Sequence, residues 1–377
     1  MVSVGTLHSY TKFPADTVKA SEIGVHTSLA AASDRNLPQS DGTIIVIPSV
    51  VLLFSMRGKL PPDILASLIL DRTGADDPAV LQGAGYGEDA AAIDIGGEIL
   101  VVSSDPLSMA ESAIGRLGVT IACNDVAASG ARPRWLTNTL FVPDATAPVI
   151  DTITRQIDAT ATHLDVSVVG GHSEILPSLD RPLLCMTAMG LTDTYIPAGG
   201  ANPGDAVILS SAAGIEGTAI LADDFRDDLL AAGIDSETLD HASQFASEVG
   251  VIDEAAATTA YATAMHDPTE GGVLTGLIEM ANAAGRTFDI DADSIPIRDE
   301  TRVICQALDV DPLRIFGSGA LLLTVPEQSV EAVLSALNGC DVTATRIGTV
   351  TEGASRVRVD SVEYTTAPRD DLYPLWE

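Results

Sequence analysis

Near its middle the chain is cut by an eight-residue run of backbone breakers, Pro197-Ala198-Gly199-Gly200-Ala201-Asn202-Pro203-Gly204. Proline removes a backbone donor and glycine gives up conformational restriction, so neither a helix nor a strand passes through such a run. Apolar residues recur at helical and strand periods on both sides of it, which divides the molecule into two mixed units. The 377 residues are too many for one ordinary core, and two units of roughly 150 residues each are the natural division.

Before the break, Ile64, Leu65, Leu68 and Ile69 predict a helix over Pro62–Arg72, followed by a strand over Glu98–Ser103 and a helix over Ala110–Ser129. A strand over Trp135–Val142, a helix over Val149–Leu164, a buried strand over Val166–Val169 and a strand over Leu183–Gly190 complete this unit. After the break come a strand over Ala206–Ser210 and helices over Gly217–Asp224, Ser236–Val249, Ile252–Met265 and Gly271–Ala284. Strands are expected over Leu321–Val325 and Val342–Val350.

Charge excludes several functions. With 53 acidic against 20 basic side chains, the net charge of −33 repels nucleic acid and anionic lipid, and no basic run interrupts it. Lysine is confined to Lys12, Lys19 and Lys59, while acids are spread throughout, a balance suited to a salt-rich cytoplasm. Residues 1–55 stand apart: three basic and four acidic side chains give −1, whereas residues 56–377 hold 17 basic and 49 acidic ones, a net of −32. The expectation is that translation begins at Met56 and that residues 1–55 are a non-native or disordered extension. The apolar stretch from Ile44 to Phe54 contains Pro48 and Ser49 and is too short to span a membrane. Cys123, Cys185, Cys305 and Cys340 form no C-x-x-C pair, so buried thiols in a reducing cytoplasm are expected.

Against this acidic background, five short motifs place carboxylates beside glycines or at element ends. In Gly85-Tyr86-Gly87-Glu88-Asp89 the glycines allow backbone amides to approach a phosphate, and Glu88 and Asp89 suit Mg²⁺; a structural turn fits equally. Ser104-Asp105-Pro106 reads either as a strand end opening a helix, with Asp105 as N-cap, or as a metal ligand. Asn124-Asp125 sits inside an apolar helical stretch, where two short polar side chains are costly unless a salt link or cation compensates them. Gly170-Gly171-His172-Ser173-Glu174 follows a strand, as a ligand loop or a solvated one. His266-Asp267-Pro268-Thr269-Glu270-Gly271-Gly272 leads into a helix, whose caps or anion site it supplies. No G-x-x-x-x-G-K-[ST] occurs, and no lysine is expected to serve as a phosphate binder.

In this order the motifs, with Asn124-Asp125-Val126-Ala127-Ala128-Ser129-Gly130-Ala131-Arg132-Pro133 between them, resemble the aminoimidazole ribonucleotide (AIR) synthase superfamily over about Met56 to Gly353. Gly214-Ile215-Glu216-Gly217-Thr218 and the His266–Gly272 stretch are most similar to proteins of the hydrogenase maturation factor HypE type. The resemblance implies an α+β, PurM-like two-domain fold: an N-terminal α+β domain over residues 56–195 that forms a dimeric β-barrel, a C-terminal α/β domain over residues 204–353, and a tail over residues 354–377. It implies ATP and Mg²⁺, with Asp89, Asp105 and Asp125 as metal ligands. Asp125, Glu174 and Asp267 would be catalytic, and Gly87, Asp89, Asp105, Asn124, Gly170, Gly171, His172 and Thr269 would contact the nucleotide.

Members of this superfamily phosphorylate an oxygen of an amide or related group, and the phosphate then leaves. The implied protein is a cytoplasmic homodimeric enzyme acting on a small or protein-borne amide-like substrate, with no nucleic-acid or membrane partner. The HypE type carries its substrate on a terminal cysteine, whereas this sequence reads Asp371-Leu372-Tyr373-Pro374-Leu375-Trp376-Glu377 and its last cysteine is Cys340. That departure leaves open a kinase of the thiamine-monophosphate kinase type and a non-catalytic ATP-binding maturation or regulatory protein.

Overall fold

The computed structural model describes residues 58–107 and 113–377, and Met56–Glu377 forms one compact unit. The expected start at Met56 and the extension over residues 1–55 lie outside the described residues. Within the unit, two sheets stand on either side of the Pro197–Gly204 break.

Strands β1 (Val80–Gln82), β2 (Ala91–Asp94), β3 (Ile99–Leu107), β4 (Arg132–Val142), β5 (Ser167–Ile175) and β6 (Leu183–Thr192) form the first sheet, in the order β1-β2-β3-β6-β4-β5. All its pairs are antiparallel except β4 with β5. Ahead of it, helix α1 (Pro62–Leu65) continues as a π-helical turn over Ala66–Leu70. Helices α2 (Ile114–Ala128) and α3 (Ala147–His163) cover the sheet; Val119, Ala122 and Val126 of α2 pack with Leu136, Leu184 and Met186.

The second sheet takes β7 (Asp205–Ser210), β8 (Ala264–His266), β9 (Thr287–Ile290), β10 (Leu322–Pro326), β11 (Ala344–Thr351), β12 (Arg356–Val359) and β13 (Val362–Tyr364), in the order β13-β12-β9-β11-β7-β10-β8. On one face lies α8 (Gly272–Ala284), packed through Leu277 and Ile278. The other face carries α7 (Ile252–Thr258) and α10 (Val330–Gly339), together with Ala127 and Ala128 from the end of α2, so that helix joins the two cores. Helices α4 (Ile215–Asp224), α5 (Arg226–Ala231), α6 (Ser236–Gln244) and α9 (Asp299–Leu308) form a smaller core around Leu221, Leu229 and Ile304. Among the described residues no helix is long and apolar enough to cross a membrane.

Several expectations change in three dimensions. Asp105 and Pro106 do not open a helix: β3 runs through them, pairing Asp105 with Met186 and Pro106 with Cys185 of β6. Proline is tolerated because β2 pairs only as far as Val102, leaving no donor required on that edge. The segment read as a buried strand followed by a loop is a single exposed strand, β5, with Val168 and Val169 43% and 56% exposed. It lies at the sheet edge and has one neighbour, so the apolar run that suggested burial is only half sheltered. The helix expected over Ile252–Met265 stops at Thr258, and Met265 belongs to β8. Residues after Gly353, expected as a tail, add β12 and β13 to the sheet and bury Asp370 and Leu372. Cys123 and Cys305 are buried free thiols, whereas Cys340 is exposed.

Candidate active site

Four aspartates reach one region from four separate elements: Asp89 from the turn before β2, Asp105 from β3, Asp125 from α2 and Asp267 from the exit of β8. Sequence spacing would not assemble them; the join between α2 and the second sheet does. Ser103 donates its hydroxyl to Asp125 Oδ2 at 2.5 Å and lies 3.3 Å from Asp105 Oδ2, bridging strand and helix.

Asp267 is 2% exposed, and no donor from outside the aspartate cluster reaches either of its carboxylate oxygens. A buried carboxylate whose only polar neighbours are other acids costs free energy, which a cation held there would offset. Burial, then the charge of Asp89, pushes the Asp267 carboxyl well above its ordinary range; burial, then Asp267 itself, does the same to Asp125. The neighbour with which each can share a proton is therefore another acid.

Beside them a chain of alternating charge is fully engaged. His266 Nδ1 lies 2.7 Å from Asp89 Oδ1, and its Nε2 lies 3.1 Å from Glu279 Oε2. Burial alone would discharge the imidazole, but the two carboxylates outweigh it and hold His266 protonated well above its usual range. Glu279 in turn receives Lys59 Nζ at 3.0 Å. Burial would raise the Glu279 carboxyl, yet Lys59 and His266 keep it at about 2. Lys59 is thus the residue that sequence reasoning dismissed: it lies far from the motifs in sequence, and no local pattern links position 59 to position 279.

The donor set suits Mg²⁺. Magnesium bound to polyphosphate takes only one or two carboxylates and fills its octahedron with water and phosphate oxygens. Among the described residues no three candidate ligands are gathered at metal-bonding distance. The oxygens of Asp267 that no donor reaches have lone pairs available to a cation.

Other expected site residues serve differently. Asn124 is fully buried, its amide donating to the Val249 carbonyl at 2.7 Å and its oxygen accepting from the Val251 amide at 2.9 Å, so it clasps α2 to the segment before α7. Glu88 accepts from the Tyr195 hydroxyl and the Ala198 and Gly199 amides, which makes it a peg under the Pro197–Gly204 break. Gly87 has φ of +82°, and a Cβ there would stand 2.6 Å from the Glu279 carbonyl; glycine lets the turn carrying Asp89 press onto α8. Thr269 is no helix cap: α8 starts at left-handed Gly271, and the Thr269 carbonyl accepts from Gly272 and Gly317. Gly170, Gly171, His172 and Glu174 lie on β5, where Gly171 aligns with Asn138, Met186 and Asp105 across the sheet. That places them three strands from Asp105, ~14 Å away, outside the carboxylate cluster. His172 and Glu174 face solvent, 3.3 Å apart.

Residues 87–192 match the N-terminal domain, and residues 202–360 the C-terminal domain, of AIR synthase related protein. The chain belongs to this family. A Methanocaldococcus jannaschii protein named for hydrogenase expression and formation is 31% identical over 258 residues, 66% of this chain and 75% of that one. Carbamoyl dehydratase HypE of Rhizobium leguminosarum is 29% identical over 264 residues, 67% of this chain and 73% of that one. Among solved structures, the AIR synthase related fold is shared with HypE from a HypE–HypF complex, at a TM-score of 0.67 and 20% identity over 81% of this chain and 99% of that one. ThiL complexed with AMPPCP and TMP is as similar, at 0.66 and 22% identity over 84% and 98%.

Proposed function

We propose that this member of the AIR synthase related family is an ATP-using enzyme of the HypE type, which phosphorylates the oxygen of a carbamoyl or similar amide group and then releases phosphate as the amide loses water. The observation that carries the reading is the buried carboxylate of Asp267, which no donor from outside the four-aspartate cluster reaches. Relatives named carbamoyl dehydratase and a HypE structure solved in complex with ATP support it. The equal fold likeness to ThiL leaves a small-molecule kinase as the second reading, less favoured because the sequence relatives at 29% to 31% identity are hydrogenase-maturation proteins.

Asp89, Asp105, Asp125 and Asp267 would hold Mg²⁺, one or two of them to each ion, and the metal would supply charge neutralisation on the phosphates. The protonated His266 fixes the Asp89 carboxylate, and Lys59 offers a positive charge where a transferred phosphoryl group becomes more anionic. In this reading Asp125 would take a proton from the amide nitrogen as phosphate departs.

The active unit in this reading is a homodimer. β5 offers an unpaired edge with Val168, Val169 and Ile175 exposed, and a second copy seated there would cover them and bring Gly170, Gly171, His172 and Glu174 into a shared seam. The acid excess fits a salt-rich interior.

Calorimetric titration of ATP with Mg²⁺, in high salt, tests the site: Asp125→Asn should abolish metal-dependent binding. Binding unchanged by that variant would exclude the assignment. Mass analysis after incubation with ATP and a carbamoylated thiol should show ADP, phosphate and a nitrile-bearing product, whereas a stable phosphoester on a supplied metabolite would favour the kinase.

A further inference from the structure

The only lysine of residues 58–377 is held by a device that the chemistry above does not require. Glu270, which begins the turn into α8, accepts the Lys59 amide at 2.6 Å on Oε1 and the Tyr373 hydroxyl at 3.0 Å on Oε2. Both its oxygens are used, one on each of two distant segments. Gly58 permits this contact: φ is +121°, and a Cβ there would sit 2.7 Å from Glu270 Oε1 and 3.1 Å from the Tyr373 ring.

The far side of the clasp is itself well anchored. Asp370 accepts the Gly271 amide at 2.7 Å and the Leu372 amide at 2.9 Å, joining this segment to the residue after Glu270. Tyr373 packs edge-on against Phe316 and Trp376 and lies beneath the Arg369 guanidinium. By contrast Gly58-Lys59-Leu60 is exposed, and among the described residues its polar ties are to Glu270 and Glu279. An exposed segment held at two points to a rigid base needs those points to present its ammonium in one place.

We propose that Glu270 and Tyr373 are positioning residues that clasp the Gly58–Lys59 segment over the carboxylate cluster, so that the Lys59 ammonium is delivered to the phosphoryl group transferred from ATP. The proposal rests on the ATP-using reading given above. The Tyr373 hydroxyl orients Glu270, Glu270 fixes the Lys59 backbone, and Glu279 holds the ammonium until the nucleotide's phosphates compete for it. In this role Tyr373 would act through Glu270, to which its hydroxyl donates, and not on the substrate or nucleotide itself.

Two measurements on the full chain separate this clasp from the enzymatic reading. The first follows modification of Lys59 by an amine-reactive ester, read by peptide mass: Tyr373→Phe and Glu270→Gln should raise its rate about tenfold with unchanged thermal midpoints. The second follows ADP formation from ATP and Mg²⁺. Tyr373→Phe should lower kcat about tenfold while KM for ATP stays within twofold, and should add nothing in a Lys59→Met background. Lysine reactivity unchanged within twofold in both variants would overturn the clasp even if ATP is turned over. A Tyr373→Phe effect that persists in full in the Lys59→Met background would overturn it too. Absence of ADP formation by the unaltered protein would strike the enzymatic reading, with lysine reactivity still deciding the clasp.

Discussion

Two histidine motifs of similar composition meet opposite environments. His266, in His-Asp-Pro-Thr-Glu-Gly-Gly, is 3% exposed between two carboxylates from other elements, whereas His172, in Gly-Gly-His-Ser-Glu, lies on an exposed edge with only Glu174 beside it. The same side chain is a fixed cation in one place and a solvated ring in the other. What differs is the number of neighbouring strands and helices: His266 leaves β8 where α8 and the Asp89 turn converge, while β5 has a partner on one side alone. The charge of His266 follows from burial and from partners supplied by distant sequence.

The contrast can be broken most forcefully at its buried member. His266→Ala should cost about 3–5 kcal/mol, because it leaves the buried Asp89 and Glu279 carboxylates without their shared cation. Urea denaturation would show it, and a loss below about 1 kcal/mol would mean that the buried pair is not formed. At the exposed member, His172→Ala should change that same quantity by less than about 0.5 kcal/mol.

A second buried acid gives a pH-dependent test. Glu254 accepts from the Ser210 hydroxyl at 2.5 Å, and burial lifts its carboxyl to about 7 from 4.5. A carboxyl raised on folding binds its proton more tightly in the native state, so its contribution is complete below the unfolded value and is lost as pH climbs through about 7. Glu254→Gln should therefore gain roughly 2–3 kcal/mol over the unaltered protein between pH 4.5 and pH 8, seen in denaturation midpoints across that range. Parallel pH profiles would contradict the shift.

The smallest expected change in folding, though not in assembly, lies on β5. Val169→Asp replaces a side chain 56% exposed and should leave monomer stability within about 0.5 kcal/mol while shifting sedimentation toward the monomer. A dimer that survives this charge would place the second copy elsewhere.

Much of the fold was legible because it is written in local periodicity. Ala206–Ser210, Gly217–Asp224 and Gly271–Ala284 carry apolar spacing strong enough to fix their type, and the breaker run at Pro197 marks the join. β9, α9, α10, β12 and β13 were missed; their short or charge-diluted patterns become elements only against neighbours already in place. Asp89, Asp105, Asp125 and Asp267 were each visible as a carboxylate set beside glycine, proline or an apolar helix. Asn124 looked like one of them because sequence shows the cost of a buried amide but not the Val249 and Val251 backbone groups that offset it.

The sequence by itself determined the two-unit division, the acid excess and the ordered carboxylate motifs, since these depend on residue type and short spacing. The tertiary structure alone decided which carboxylates share one place, that Lys59 returns from more than two hundred residues away to neutralise Glu279, and that the Gly170–Glu174 motif lies on an open edge. Electrostatic energy depends on separation in space and on exclusion of water, and neither is encoded in the local pattern that a sequence displays.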